Sequence, residues 1–212
     1  MIMGAFDPYG QTIWSMLVSA IGNEYGVAGL MGNLYAESGL IPYRKQGDFS
    51  GYPFQPSLDY TNAVKDGTKS EYTFVHDSIG YGLAQWTYYS RKQNYYNYVG
   101  QANIGDLTPT VNFLVYELQN SFPSVWSALI SVPDIRTASD IVLHDFENPK
   151  DQSAAVEHAR WQYGVSIYNT FSGSQPVPPT PPDPPIPPTP PVPTIEVHNM
   201  PLYMYPLFNH QI

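Results

Sequence analysis

Two stretches of this 212-residue chain carry residue types at a spacing that acid catalysis can use. The first is Asn33-Leu34-Tyr35-Ala36-Glu37-Ser38-Gly39-Leu40, and the second is Gly80-Tyr81-Gly82-Leu83-Ala84-Gln85-Trp86-Thr87. In the first, Val27, Leu30, Met31 and Leu34 are spaced i, i+3, i+4, i+7, which predicts a helix. Gly39 stands where a left-handed C-terminal cap belongs, and Pro42 forbids continuation. Glu37 therefore falls in the last turn, at the negative end of the helix dipole, where a carboxyl tends to keep its proton. Leu34, Tyr35 and Leu40 would push the same way. A carboxyl protonated near neutral pH is what the general acid of glycoside cleavage must be. The bland alternative is a solvated glutamate at a helix end. In the second stretch, Gly80 and Gly82 would let the backbone approach a sugar closely. Gln85 could bond an N-acetyl group, and Tyr81 and Trp86 could line a cleft, Trp86 being as well suited to a core.

The elements that must position these residues read as mostly helical. Thr12 is expected to cap a helix bearing Ile13, Trp14, Leu17, Val18 and Ile21, with residues 22–26 as the turn into the Glu37 helix. Residues 41–56, with three prolines and two glycines, read as an irregular loop. Ser57 is expected to cap a short helix ending near Gly67. Residues 68–82 read as a small hairpin because Tyr72, Phe74 and His76 alternate. Further helices are expected from Tyr88 to Val99, from Thr108-Pro109 onward with Pro at the first helical position, from Ser124 to Ile130, from Thr137 to Phe146 and from Asp151 to Ile167. Glu147, in Phe146-Glu147-Asn148-Pro149, reads as a structural residue at a helix end.

Composition excludes several functions. The net charge is −9, and all nine lysines and arginines lie before residue 161 without forming a basic run, so nucleic acid is not an expected ligand. Cysteine is absent, which removes disulfides and thiolate metal sites. The five histidines show no ligand spacing, so neither a metal nor any other cofactor is expected. No apolar run approaches membrane-spanning length, and the N-terminal residues do not read as a signal peptide. Aromatic residues make up 15% of the chain, with 18 Tyr against 9 Phe. Tyrosine pairs an apolar face with a polar rim and so suits sugar contact as well as core filling. Tyr88-Tyr89 and Tyr95-Tyr96 cannot all point inward on one helix.

Residues 177–193 repeat x-Pro-Pro, with Val177, Thr180, Asp183, Ile186 and Thr189 as the x positions. Polyproline II has three residues per turn and rises roughly 3.1 Å per residue, so the segment would be a stiff rod of about 53 Å with one mostly apolar edge. It reads as a spacer or as a strip that docks on a partner. Beyond it, residues 195–212 include Leu202, Tyr203, Met204, Tyr205, Leu207 and Phe208, too few for a core of their own. The expected organisation is a single mainly α domain over 1–172, a Pro-rich linker over 173–194 and a C-terminal anchoring peptide over 195–212.

Ala36-Glu37-Ser38-Gly39-Leu40 followed by Gly82-Leu83-Ala84-Gln85 resembles the Glu-Ser and Gly-Leu-Met-Gln pair of goose-type lysozymes and soluble lytic transglycosylases. The longer strings 26–40 and 77–87 are most similar to the phage tail lysozyme family, over roughly residues 10–170. The resemblance implies a lysozyme-like α+β fold and cleavage of the peptidoglycan glycan strand, with Glu37 as the acid. In goose-type enzymes an acidic residue precedes the Gly-Leu-Met-Gln segment, and Asp77 takes that place, either holding the attacking water or serving only the turn Asp77-Ser78-Ile79-Gly80. Asp48 and Asp59 are fallbacks for this role. Thr87 stands where some goose-type enzymes carry a further acid, which leaves a transglycosylase route open in which Glu37 acts alone. The resemblance also implies a virion tail location, with the Pro-rich rod and residues 195–212 attaching to other tail proteins. The alternative is a structural or sugar-binding tail protein that keeps the fold without turnover.

Overall fold

Helix α2, Glu24–Ser38, is buried on every face over residues 26–34, and four other helices pack around it. Gly26, Gly29 and Gly32 explain how: they recur at i, i+3 and i+6 and let three helices approach the α2 backbone. A Cβ on Gly26 would stand 2.0 Å from the Leu129 carbonyl oxygen, on Gly29 2.4 Å from the Ala138 Cβ, and on Gly32 2.5 Å from the Arg160 carbonyl oxygen. These neighbours belong to α7 (Pro123–Ser131), α8 (Ile135–Val142) and α9 (Ala154–Phe171). Between the glycines, Val27, Leu30, Met31 and Leu34 are fully buried, as the helical stripe predicted. Gly39 is left-handed (φ 65°), and its N–H donates to the Tyr35 carbonyl.

The computed structural model describes residue 6 and residues 8–173. The remaining helices are α1 (Gly10–Ile21), α3 (Gln55–Lys65), α4 (Glu71–His76), α5 (Tyr89–Val99) and α6 (Leu107–Ser121), with a 3-10 turn at Gln101–Asn103. The domain is thus mainly helical. Among the described residues the β component is confined to isolated bridges that pair Lys45 with Tyr81 and Tyr81 with Trp86. The Pro-rich linker after Gly173 and the peptide 195–212 lie outside the described residues.

Several expected boundaries shift for local reasons. Thr12 lies inside α1, which starts at Gly10 after Tyr9. Ser57 lies inside α3 and is buried, its hydroxyl bonded to Asp48. The expected hairpin over 68–82 is instead helix α4: Ser70 caps it by accepting from the Thr73 N–H, and the adjacent Phe74 and Val75 supply the buried face. Asp134 caps α8 in the same way, through the Thr137 N–H. That helix runs into a π-helical turn, Leu143–Glu147, which Asn148 closes with φ 45°. The last helix begins at Ala154 rather than Asp151 and continues to Phe171.

Candidate active site

Glu37 lies in the last turn of α2 with its side chain 22% exposed, on an open cleft of about 460 Å³. The group that meets its carboxylate is not one of the apolar neighbours expected from sequence but Arg160 of α9, whose Nη2 donates to Oε1 at 2.5 Å. Arg160 Nη1 also donates to Asn33 Oδ1 at 3.2 Å, and the Asn33 amide donates in turn to the carbonyls of Gly29 and Ser139. The Glu37 side chain at the end of α2 is therefore held by a chain of hydrogen bonds that runs through α8 and α9.

Glu147 lines the same cleft, delivered by the π-helical turn after α8. Such turns recur where a side chain has to be aimed rather than packed. Its Oε1 is sealed from solvent and has no hydrogen-bond partner. An unpaired carboxylate in that position is costly, and a neutral acid is the form that tolerates burial. Burial pushes the Glu147 carboxyl up to about 8, the nearby Glu37 adds to the effect, and Arg91 and Arg160 oppose it. From sequence, Glu147 reads as structural. A buried, unpartnered oxygen depends on helices distant in the chain, so no local pattern signals it.

The Gly80–Thr87 segment forms the floor beneath one wall. Gly80 exchanges hydrogen bonds with Gln46, its N–H donating to Oε1 and its carbonyl accepting from the Gln46 N–H. Gly82 (φ 78°) donates to the Arg44 carbonyl. Their backbones thus hold the 44–46 loop, and only Ala84, Gln85 and Thr87 of this segment line the cleft. The Gln85 amide donates to the carbonyls of Arg44 and Gly82. Tyr81 and Trp86 are core residues: each is at most 1% exposed, the Tyr81 hydroxyl pairs with Thr61, and Trp86 Nε1 donates to Glu117. Glu117 also takes a bidentate pair from Arg91, which lines the cleft.

Asp77 is placed elsewhere. It is not among the cleft-lining residues, and its carboxylate receives Lys92 at 2.6 Å, Tyr60 at 2.7 Å, Lys69 at 3.2 Å and the Ile79 N–H at 3.1 Å. Burial raises its pKa, but these donors outweigh burial and leave it below the usual carboxylate range. Four donors make Asp77 the hub that joins the end of α4 to α3 and α5. Asp48 lines the cleft, yet Ser50 and Ser57 saturate its carboxylate; burial alone would raise it, and the hydrogen bonds hold it at about 2. Asp59 is exposed on α3, bonded to Gln55. Among the described residues, no group of acidic or histidine side chains is disposed to hold a metal ion, and no helix is long and apolar enough to cross a membrane.

A mainly helical domain with a helix-end glutamate over an open polar cleft has the arrangement of a lysozyme-like protein. Residues 10–171 match the family described as phage tail lysozyme, and the chain belongs to that family. No curated protein matches the chain.

Proposed function

We propose that this domain cleaves the glycan strand of peptidoglycan with Glu37 as the proton donor. The observation that carries this reading is that two carboxyls, Glu37 and Glu147, share one cleft with Arg160 committed to the first. Glu37, the accessible member, protonates the glycosidic oxygen as the bond to C1 breaks. The oxocarbenium-like centre is then captured by water or by the C6 hydroxyl of the same sugar, and the Glu37 carboxylate takes the proton released. Glu147 is the member with a sealed, unpartnered oxygen. Kept neutral, it adds no negative charge beside the Glu37 carboxylate left after proton transfer and does not compete for Arg160. In this reading Glu147, not Asp77, is the second carboxyl at the cleft, because donors saturate Asp77. Ala84, Gln85 and Thr87 would face the bound sugars.

Family membership supports a tail-associated role at the host cell wall during genome delivery. The Pro-rich segment and residues 195–212 would then attach the domain to other tail proteins. Zymography on purified walls tests turnover. Glu37→Gln should lower the rate about 10²- to 10⁴-fold, the usual worth of general acid–base catalysis, with the fold intact. Retention of more than a tenth of the wild-type rate would remove Glu37 from the chemistry. Mass spectrometry of the released muropeptides separates the two captures, since 1,6-anhydro ends mark the transglycosylase.

A further inference from the structure

Next to the cleft lies a second groove of about 410 Å³, lined by Val75, His76, Ser78, Thr87, Tyr88 and Tyr89. Thr87 and Tyr88 line both, so the two adjoin. The lining exposes aromatic surface to water, Tyr88 being 64% and Tyr89 53% exposed, and Tyr72, stacked on His76, is 73% exposed. The rings are ordered against one another. Tyr72 and His76 stack at 4.2 Å, and His76 and Tyr89 lie within 14° of parallel at 5.9 Å.

The platform is held rigidly. His76 Nδ1 bonds the Tyr72 carbonyl across one turn of α4. Asp77, the next residue, is clamped to Lys92 of α5 and Tyr60 of α3. Ser78 is held at φ 57°, a conformation that costs energy in a non-glycine residue and that persists where surrounding bonds enforce it. The buried Asp77 cluster therefore fixes the groove wall.

The lining chemistry selects the occupant. No carboxylate, ammonium or guanidinium group lines this groove, which disfavours the charged peptide stems of a cell wall. Aromatic faces beside the hydroxyls of Ser78, Thr87, Tyr88 and Tyr89 match a pyranose, which has an apolar C–H face and a rim of hydroxyls. We propose that this groove is a second saccharide subsite, in which further sugars of the strand held in the cleft lie against Tyr88, Tyr89 and His76. The proposal rests on the reading of the cleft as a glycan site.

Calorimetry on the full chain carrying Glu37→Gln, with N-acetylglucosamine trimer and hexamer as probes, tests it. The hexamer should bind at least tenfold more tightly than the trimer. Adding Tyr89→Ala should remove most of that advantage, weakening the hexamer about tenfold and the trimer far less. In the Glu37→Gln protein, the His76 ring resonances should move with hexamer and stay in place with trimer, a readout that does not depend on a second substitution. Equal affinity for the two oligomers, an unmoved His76 ring, or equal weakening of both by Tyr89→Ala overturns the subsite and leaves the cleft reading standing. Binding of neither oligomer overturns both.

Discussion

Arg160 bonds two residues of α2 that lie one turn apart, Asn33 through one nitrogen and Glu37 through the other. A guanidinium fork can hold both at once, whereas a lysine ammonium on a similar stem acts as a single point charge. Arg160→Lys should therefore leave Asn33 or Glu37 without its partner. Hydrogen bonds to charged groups are worth about 1.5–3 kcal/mol, roughly one to two orders of magnitude in rate if the loss falls on the transition state. Steady-state kinetics should show the fall in kcat with KM little changed; an unchanged kcat would show that the pair does not serve catalysis.

Glu147→Gln should reshape the pH dependence of both stability and activity. The carboxyl is raised by burial and by Glu37, opposed by Arg91 and Arg160, with Glu117 adding to the rise. A raised carboxyl binds its proton more tightly in the folded chain. Its contribution is therefore full below the unfolded value near 4.3 and is lost as pH rises toward about 8. The variant carries no such loss, so its melting temperature should gain on wild type between pH 5 and 8. Wild-type activity should decline near pH 8, and the variant should lack that decline. Parallel melting curves across this range would mean that Glu147 is not protonated in the native state.

Asp77→Asn should cost stability more than activity. The Asp77–Lys92 pair is nearly sealed, with Lys92 fully buried and the Asp77 side chain 11% exposed. Removing one partner of a buried pair costs about 3–5 kcal/mol. Because the Asp77 carboxyl is held low, its contribution is present above the unfolded value and fades as pH falls through the folded one. Denaturant titration should show the loss at pH 7 and a smaller one in acid. Collapse of glycan cleavage at unchanged stability would return Asp77 to the chemistry.

Gly32→Ala should impair the site from a distance. The added methyl would press on the backbone of Arg160 and Gly164, with contacts of 2.5 and 2.6 Å that cannot rotate away. Overpacking of this kind costs about 1–3 kcal/mol, and relief by a shift of α9 carries Arg160 with it. Thermal melting and kcat should fall together; a full kcat with a lowered melting point would confine the effect to packing.

The Glu37 helix was legible because its signals are local: an apolar stripe at helical period and a glycine where a left-handed cap belongs. Helix α4 was not, because six residues with adjacent buried Phe74 and Val75 give no period, and the alternation of Tyr72, Phe74 and His76 imitates a strand. The same limit applies in the site. Nothing near Tyr81 or Trp86 in sequence separates a cleft aromatic from a core one; their partners Thr61 and Glu117 decide it. Arg160 and Glu147 stayed invisible as site members because each gains its role from a neighbour more than a hundred positions away, Arg160 by bonding Glu37 and Glu147 by sharing its cleft.

Glu37, Arg160 and Glu147 come from three separate segments that converge at the end of one enclosed helix. No fragment lacking any of the three can assemble the site, and the middle of α2, buried over residues 26–34, cannot stand alone. Catalytic competence should therefore be all-or-none, reporting completion of the whole domain, and heat inactivation should coincide with cooperative unfolding rather than precede it as a local loosening.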